Sequence, residues 1–165
     1  FSAVSTDTRV LENGQIFVAL KGKKFDGHEF ISSVSKKVCG LVVEKPLLDL
    51  EISQWVVPNT TTALGQIAKA NRDKFNGYLI AVTGSCGKTS VKEMIASILK
   101  KTGSVLVTKD NSNNEIGVPT TLINISAAHN YAVVEMGARN AGDINYLCEI
   151  AKPDIALINL SLIHI

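Results

Sequence analysis

The chain has 165 residues, of which 45% are hydrophobic and 19% charged, and its formal net charge is +2. That is enough chain for one good core or two small ones, with an ordinary globular composition. Its basic residues are scattered, which excludes a nucleic-acid footprint, and no apolar run approaches the roughly 18 residues of a membrane span.

The three cysteines, Cys39, Cys86 and Cys148, form no C-x-x-C pair. A disulfide framework or zinc site is therefore not expected, and reduced thiols in the cytoplasm are. Phe1-Ser2-Ala3-Val4 lacks the basic start and apolar stretch of a signal peptide, and lacks an initiating Met, so the native start is expected upstream.

In chain order, Glu12-Asn13-Gly14 reads as a turn leading into a strand over residues 15–20. Residues 28–37 follow as a helix. Leu41-Val42-Val43 and Trp55-Val56-Val57 read as short buried strands, the second closed by Pro58, which cannot donate to a ladder. Residues 60–74 form a helix capped by Thr61 or Thr62, with Leu64, Ile67, Ala68 and Asn71 at helical spacing. The Asn76-Gly77 turn sets an expected boundary between a domain of residues 1–77 and a domain of residues 78–165.

The second domain opens with a strand over residues 78–82. A helix runs from Lys88 to about Lys101, with Val91, Met94, Ile95, Ile98 and Leu99 as its apolar stripe; Lys92, Lys100 and Lys101 face water, and Gly103 serves the C-terminal cap. Strands over 104–107, 131–134 and 155–158 and a helix over 143–151 complete the pattern. Strands alternating with helices predict an α/β fold: a small α/β domain followed by a partial, doubly wound parallel sheet of the phosphate-loop type.

Thr83-Gly84-Ser85-Cys86-Gly87-Lys88-Thr89-Ser90 joins a strand to a helix, the context in which a phosphate-binding loop has meaning. Gly84 and Gly87 let backbone N–H groups turn toward phosphate oxygens, and the helix start adds unpaired N–H groups and a positive dipole end. Lys88 reaches the outer phosphates, and the Thr89 hydroxyl is a ligand for Mg2+. The loop departs from G-x-x-x-x-G-K-[ST] at Val82, where the first glycine would fall. Cys86 occupies a variable loop position, which favours a spacer over a catalytic thiol. Glu135, at the carboxyl end of an apolar strand, is either a surface residue or the second Mg2+ ligand; Gly137, which permits close approach, tilts it to the second.

These residues resemble the Mur ligases of bacterial peptidoglycan synthesis, whose loop reads T-G-[ST]-x-G-K-[ST]-[ST]. Within that family, the branch adding D-alanyl-D-alanine is matched by Val91-Lys92-Glu93-Met94, by Asn111 through Pro119 and by Tyr131 through Ala138. The first domain agrees at Thr6-Asp7-Thr8-Arg9 and from Phe17 through His28. The resemblance implies an ATP-dependent amide ligase. Its substrates would be UDP-N-acetylmuramoyl-tripeptide and D-alanyl-D-alanine, joined through an acyl phosphate, with ADP and phosphate released. It implies a cytoplasmic, monomeric enzyme of cell-wall synthesis that uses Mg2+.

By the same resemblance Gly84, Ser85, Cys86, Gly87, Lys88, Thr89 and Ser90 hold ATP, with Lys88 catalytic, and Thr89 with Glu135 holds Mg2+. Asn113 and Asn114 lie between nucleotide and muramoyl substrate. Thr6, Thr8, Lys23, Lys24, Phe25, Asp26, Gly27 and His28 meet the UDP end. Read alone, Thr6-Asp7-Thr8 is a turn or cap, Lys21 to Lys24 a solvated loop and Asp26-Gly27 a turn. The family's remaining central strands and C-terminal domain are expected beyond Ile165, so the 165 residues are expected to be an inactive fragment. Residues 160–165 depart from the family; His164 has the spacing of a family metal ligand but, with Ser161 and Leu162 before it, is not counted as one. Other readings are a related ligase that adds an amino acid and a non-catalytic nucleotide-binding module.

Overall fold

Parallel strand pairs build two four-stranded sheets; helices form the crossovers of the second, whereas in the first the connections from first to second strand and from third to fourth are loops. The computed structural model describes residues 3–22 and 25–161. The chain divides into two units, one reaching to Leu64 and one starting at Gly65. The division falls upstream of the Asn76-Gly77 turn.

In the first unit the strands are β1 (Val4–Ser5), β2 (Ile16–Val18), β3 (Gly40–Val43) and β4 (Gln54–Val56), in the order β1-β2-β3-β4. β2 and β3 are buried throughout, and Phe17, Ile31, Val34, Leu41 and Val43 form the core. β1 is two residues long and carries no apolar signal. β4 corrects an expectation: Trp55 and Val56 are each 51% exposed, because β4 is an edge strand and not a buried one. The helix expected over residues 28–37 is a 3-10 turn (Gly27–Phe30) running into a short α1 (Ile31–Val34). Ser33 Oγ donates to the Phe30 carbonyl at 2.7 Å and Ser35 Oγ to that of Ser32 at 3.3 Å, local bonds that compete with helix extension.

Helix α2 (Thr60–Arg72) follows, and Asn59 Oδ1 accepts from Thr62 N–H at 2.8 Å, taking the capping role expected of Thr61 or Thr62. The second unit contains β5 (Tyr78–Gly84), α3 (Lys88–Leu99), β6 (Val105–Val107), α4 (Gly117–Ile123), β7 (Tyr131–Glu135), α5 (Asp143–Ala151) and β8 (Ile155–Asn159). Its sheet has the order β6-β7-β5-β8. Leu79, Ala81, Ala132 and Val134 meet Val118, Leu122 and Leu147 on one side of the sheet. Val82 and Val133 pack with Ala96 of α3 in a separate cluster.

α3 rotates its core face away from the predicted stripe. Met94 and Ile98 are 65% and 66% exposed, whereas Lys92 and Ala96 are buried. Lys92 does not face water: its stem lies in the interior, and its Nζ donates to the Thr108 carbonyl at 2.8 Å. α4 is an addition to the expected elements; Gly117 and Pro119 lie in its first turn, where the missing proline N–H is not needed.

Near the end of α2, Asn71 Nδ2 donates to the carbonyls of Leu122, Ile123 and Ile125, satisfying groups at the end of α4. Buried Arg72 donates to the carbonyls of Ala151, Lys152 and Phe75 and to Asp154 Oδ2 at 2.9 Å, and that same carboxylate accepts from Leu79 N–H at 2.7 Å. The outward face of the β8 edge is apolar. A groove of about 400 Å3 there, lined by Tyr78, Ile95, Leu99, Tyr131, Ile155 and Leu157 among others, contains no residue of the phosphate loop. Among the described residues no helix is long and apolar enough to cross a membrane.

Candidate nucleotide and metal site

Every strand of the second sheet delivers a polar group at its carboxyl end: β5 the phosphate loop, β6 Thr108, β7 Glu135 and β8 Asn159. In open parallel sheets this edge is where ligands bind. Gly84 has φ +142° and Gly87 φ +73°, conformations that side chains rarely adopt. A Cβ at Gly84 would run into the Asn159 carbonyl, and one at Gly87 would lie 2.6 Å from Asn159 Nδ2. Asn159 Nδ2 also donates to the Cys86 carbonyl at 3.0 Å, bracing the loop. No side chain caps α3, so its first N–H groups are open to an anion. Lys88 folds over the loop, its Nζ donating to the Gly84 carbonyl at 2.8 Å. Ser85, Cys86 and Ser90 are exposed.

The register sets Glu135 opposite Val82, immediately before the loop. Glu135 is 2% exposed. Its Oε2 accepts from the Thr89 hydroxyl at 2.8 Å and its Oε1 from Asn113 Nδ2 at 2.9 Å, while its backbone N–H donates to Thr108 Oγ1 at 3.1 Å. Lys92 Nζ lies 3.9 Å from Oε2. The close approach at Gly137 is that of Asn113: a Cβ there would meet Asn113 Oδ1 at 2.8 Å, and Gly137 N–H donates to the Asn113 carbonyl at 2.8 Å. Asn114 is used differently, its Oδ1 accepting from Gly117 N–H at 2.9 Å and Ile116 N–H at 3.3 Å at the start of α4. Thr89 and Glu135 bring two hard oxygens together beside the loop, a donor set that fits Mg2+ completed by phosphate and water. Among the described residues no cluster of three or more His, Cys, Asp or Glu offers an all-protein metal cage.

In the first unit, Thr6, Thr8, Lys21, Gly22 and residues 25–28 follow the carboxyl ends of β1 and β2, so the parallel pairing gathers them at one edge of that sheet. Lys23, Lys24 and His164 lie outside the described residues. Thr6 and Thr8 are half-buried. Asp7 is closed on Arg9, which donates Nε–H to Oδ1 at 2.9 Å and Nη2–H to Oδ2 at 2.6 Å, holding the carboxyl at about 2. Phe25 is 57% exposed. Gly27 is buried for packing: an added Cβ would lie 2.8 Å from the Leu20 carbonyl.

His28 has both ring nitrogens engaged. Nε2 accepts from Glu44 N–H at 2.9 Å, so the proton sits on Nδ1, which donates to Asp26 Oδ1 at 2.6 Å. Asp26 also accepts from His28 N–H, and these bonds from His28 lower its pKa. His28→Ala orphans the Glu44 N–H and is expected to destabilise the first unit by about 1–3 kcal/mol. Denaturant unfolding of the variant measures this, and an unshifted midpoint would show the bridge to be idle.

The Mur ligase middle domain profile matches residues 82–165. The chain belongs to the Mur ligase family. The match contains the phosphate loop from Thr83 onward, Asn113, Glu135 and Asn159. UDP-N-acetylmuramoyl-tripeptide--D-alanyl-D-alanine ligase of Buchnera aphidicola subsp. Baizongia pistaciae is 49% identical over 159 residues, which are 95% of this chain and 35% of that protein. A crystal structure of MurF from Acinetobacter baumannii superposes with a TM-score of 0.90 at 42% identity, over 100% of this chain and 36% of that one. MurF ligase from Thermotoga maritima in complex with ADP gives a TM-score of 0.87 at 33% identity, over 96% of this chain and 37% of that one. The chain thus spans about a third of the length of these Mur ligases.

Three participants escaped the sequence reading: Lys92, Thr108 and Asn159 as a brace for the loop. Lys92 carried one signal, its place one residue beyond Val91 on the inward side of α3, which the choice of Met94 and Ile98 as core obscured.

Proposed function

We propose that the chain forms the muramoyl-substrate and nucleotide-binding portion of an ATP-dependent ligase that joins D-alanyl-D-alanine to UDP-N-acetylmuramoyl-tripeptide, releasing ADP and phosphate. Residues 1–77 are assigned to the UDP-muramoyl substrate and residues 78–165 to ATP, and the enzyme is assigned to the cytoplasm. The observation that carries the reading is the phosphate loop with Thr89 hydrogen-bonded to buried Glu135. The names of the similar proteins supply the substrate class.

The terminal carboxylate of the tripeptide attacks the outer phosphate of ATP, forming an acyl phosphate and ADP. The amine of D-alanyl-D-alanine then displaces phosphate, and the amide forms with loss of the amine proton. Two anions must approach in the first step. Lys88 and the N–H groups at the start of α3 offset that charge where it builds up. Thr89 and Glu135 would hold Mg2+, which supplies further neutralisation of the phosphate oxygens when bound. Asn113 keeps the Glu135 carboxylate oriented.

Acceptor discrimination tests the reading. The full-length protein, given ATP and UDP-N-acetylmuramoyl-tripeptide, should release ADP with D-alanyl-D-alanine and not with single amino acids; the reverse preference would move it to another branch of the family. Glu135→Gln, nearly isosteric, should raise the Mg2+ concentration needed for half-maximal activity about 10-fold or more, since a hard cation binds through anionic oxygen. A Mg2+ titration curve that overlays the parent's would return Glu135 to a structural role.

A further inference from the structure

We propose that Lys92 is a positioning residue for the metal-binding carboxylate, the inference resting on the assignment of Glu135 to Mg2+. Lys92 is buried, with 1% of its side chain exposed, on a helix face otherwise made of Val91, Ile95, Ala96 and Leu99. An aliphatic residue would fill that space without burying a charge, so the ammonium needs a reason at its tip.

At the tip are three oxygens. Nζ donates to the Thr108 carbonyl at 2.8 Å, lies 3.2 Å from Glu93 Oε1 and 3.9 Å from Glu135 Oε2. Glu93 is 58% exposed and shares its charge with water, whereas Glu135 is 2% exposed and cannot. Thr108 serves both partners, since its carbonyl anchors Lys92 while its hydroxyl accepts from the Glu135 backbone N–H. Lys92 and Glu135 are therefore fixed on one support at the carboxyl end of β6. Thr89 and Lys92 address the same oxygen, Oε2, and Asn113 addresses the other. Among the described residues, the hydrogen bond and ion pairs of the Lys92 side chain go to Thr108, Glu93 and Glu135 and not to the phosphate loop. Lys92 acts by holding the Glu135 carboxylate in place before a cation arrives.

The test is ATP binding by calorimetry, with and without Mg2+, in the full-length protein. Lys92→Met keeps an unbranched stem of similar size, and Lys92→Gln keeps a donor for the Thr108 carbonyl. Both should lose about 10–100-fold of the affinity gained from Mg2+, the usual effect of removing a residue that supports a metal ligand, while Mg2+-free affinity stays at the parental value. Glu93→Gln should leave both affinities unchanged. Equal losses with and without Mg2+, or failure of both variants to fold, would make Lys92 a structural cation and overturn the proposal, as would variants with parental Mg2+ dependence. A parent protein whose ATP affinity ignores Mg2+ would instead remove the metal assignment itself.

Discussion

Lys88→Ala is expected to lower ATP-dependent turnover of the full-length protein by about 10²–10³-fold, the usual effect of removing one group that stabilises developing charge. The side chain already lies over the loop, its Nζ on the Gly84 carbonyl, so little rearrangement separates it from phosphates held by the loop N–H groups. The fold should survive, since Lys88 is not in the core and its hydrogen bond is to its own loop. ATP-dependent ADP release and the melting temperature, measured together, separate the two effects. Turnover near the parental rate would withdraw the loop from catalysis, and collapse of the melting transition would make its role structural.

Arg72→Ala should have the largest effect on stability, about 3 kcal/mol or more, because several hydrogen bonds from one buried charged donor, each worth about 1.5–3 kcal/mol, are lost together. The guanidinium fills the space between the ends of α2 and α5 and the start of β5, donating to the carbonyls of Ala151, Lys152 and Phe75 and to the Asp154 carboxylate. Its removal leaves carbonyls at the end of α5 without a donor and Asp154 without its cation. Asp154→Ala should be milder, because that side chain is 40% exposed and water screens it. Urea unfolding of both variants orders the two effects. Arg72→Ala within experimental error of the parent would mean that water replaces the guanidinium, contrary to its burial.

The phosphate loop was legible because its parts are contiguous: strand, two glycines, Lys88, Thr89 and helix follow one another with no distant partner needed. Glu135 was legible as a strand end. Its burial was not, because that depends on Thr89, Asn113 and Thr108 arriving from three other segments. Lys92 was misread because hydrophobic periodicity counts side chains and not the hydrogen bonds that admit a charged tip. Trp55 and Val56 were misread for the converse reason: apolar side chains declare a strand but not whether another strand lies beyond it. For His28 the sequence left open whether the ring faces a ligand or its own chain, because that depends on Glu44, a residue of another strand end.

The contact between Asn159 and the two loop glycines also decides where this sequence is free to drift. Positions 84 and 87 meet the end of β8 and tolerate no side chain, while Lys88 and Thr89 hydrogen-bond to the Gly84 carbonyl and to Glu135. Ser85 and Cys86 face solvent. A library randomised across the whole loop and selected for growth should return diversity at Cys86 and keep glycine at positions 84 and 87, where the positive φ strains any side chain.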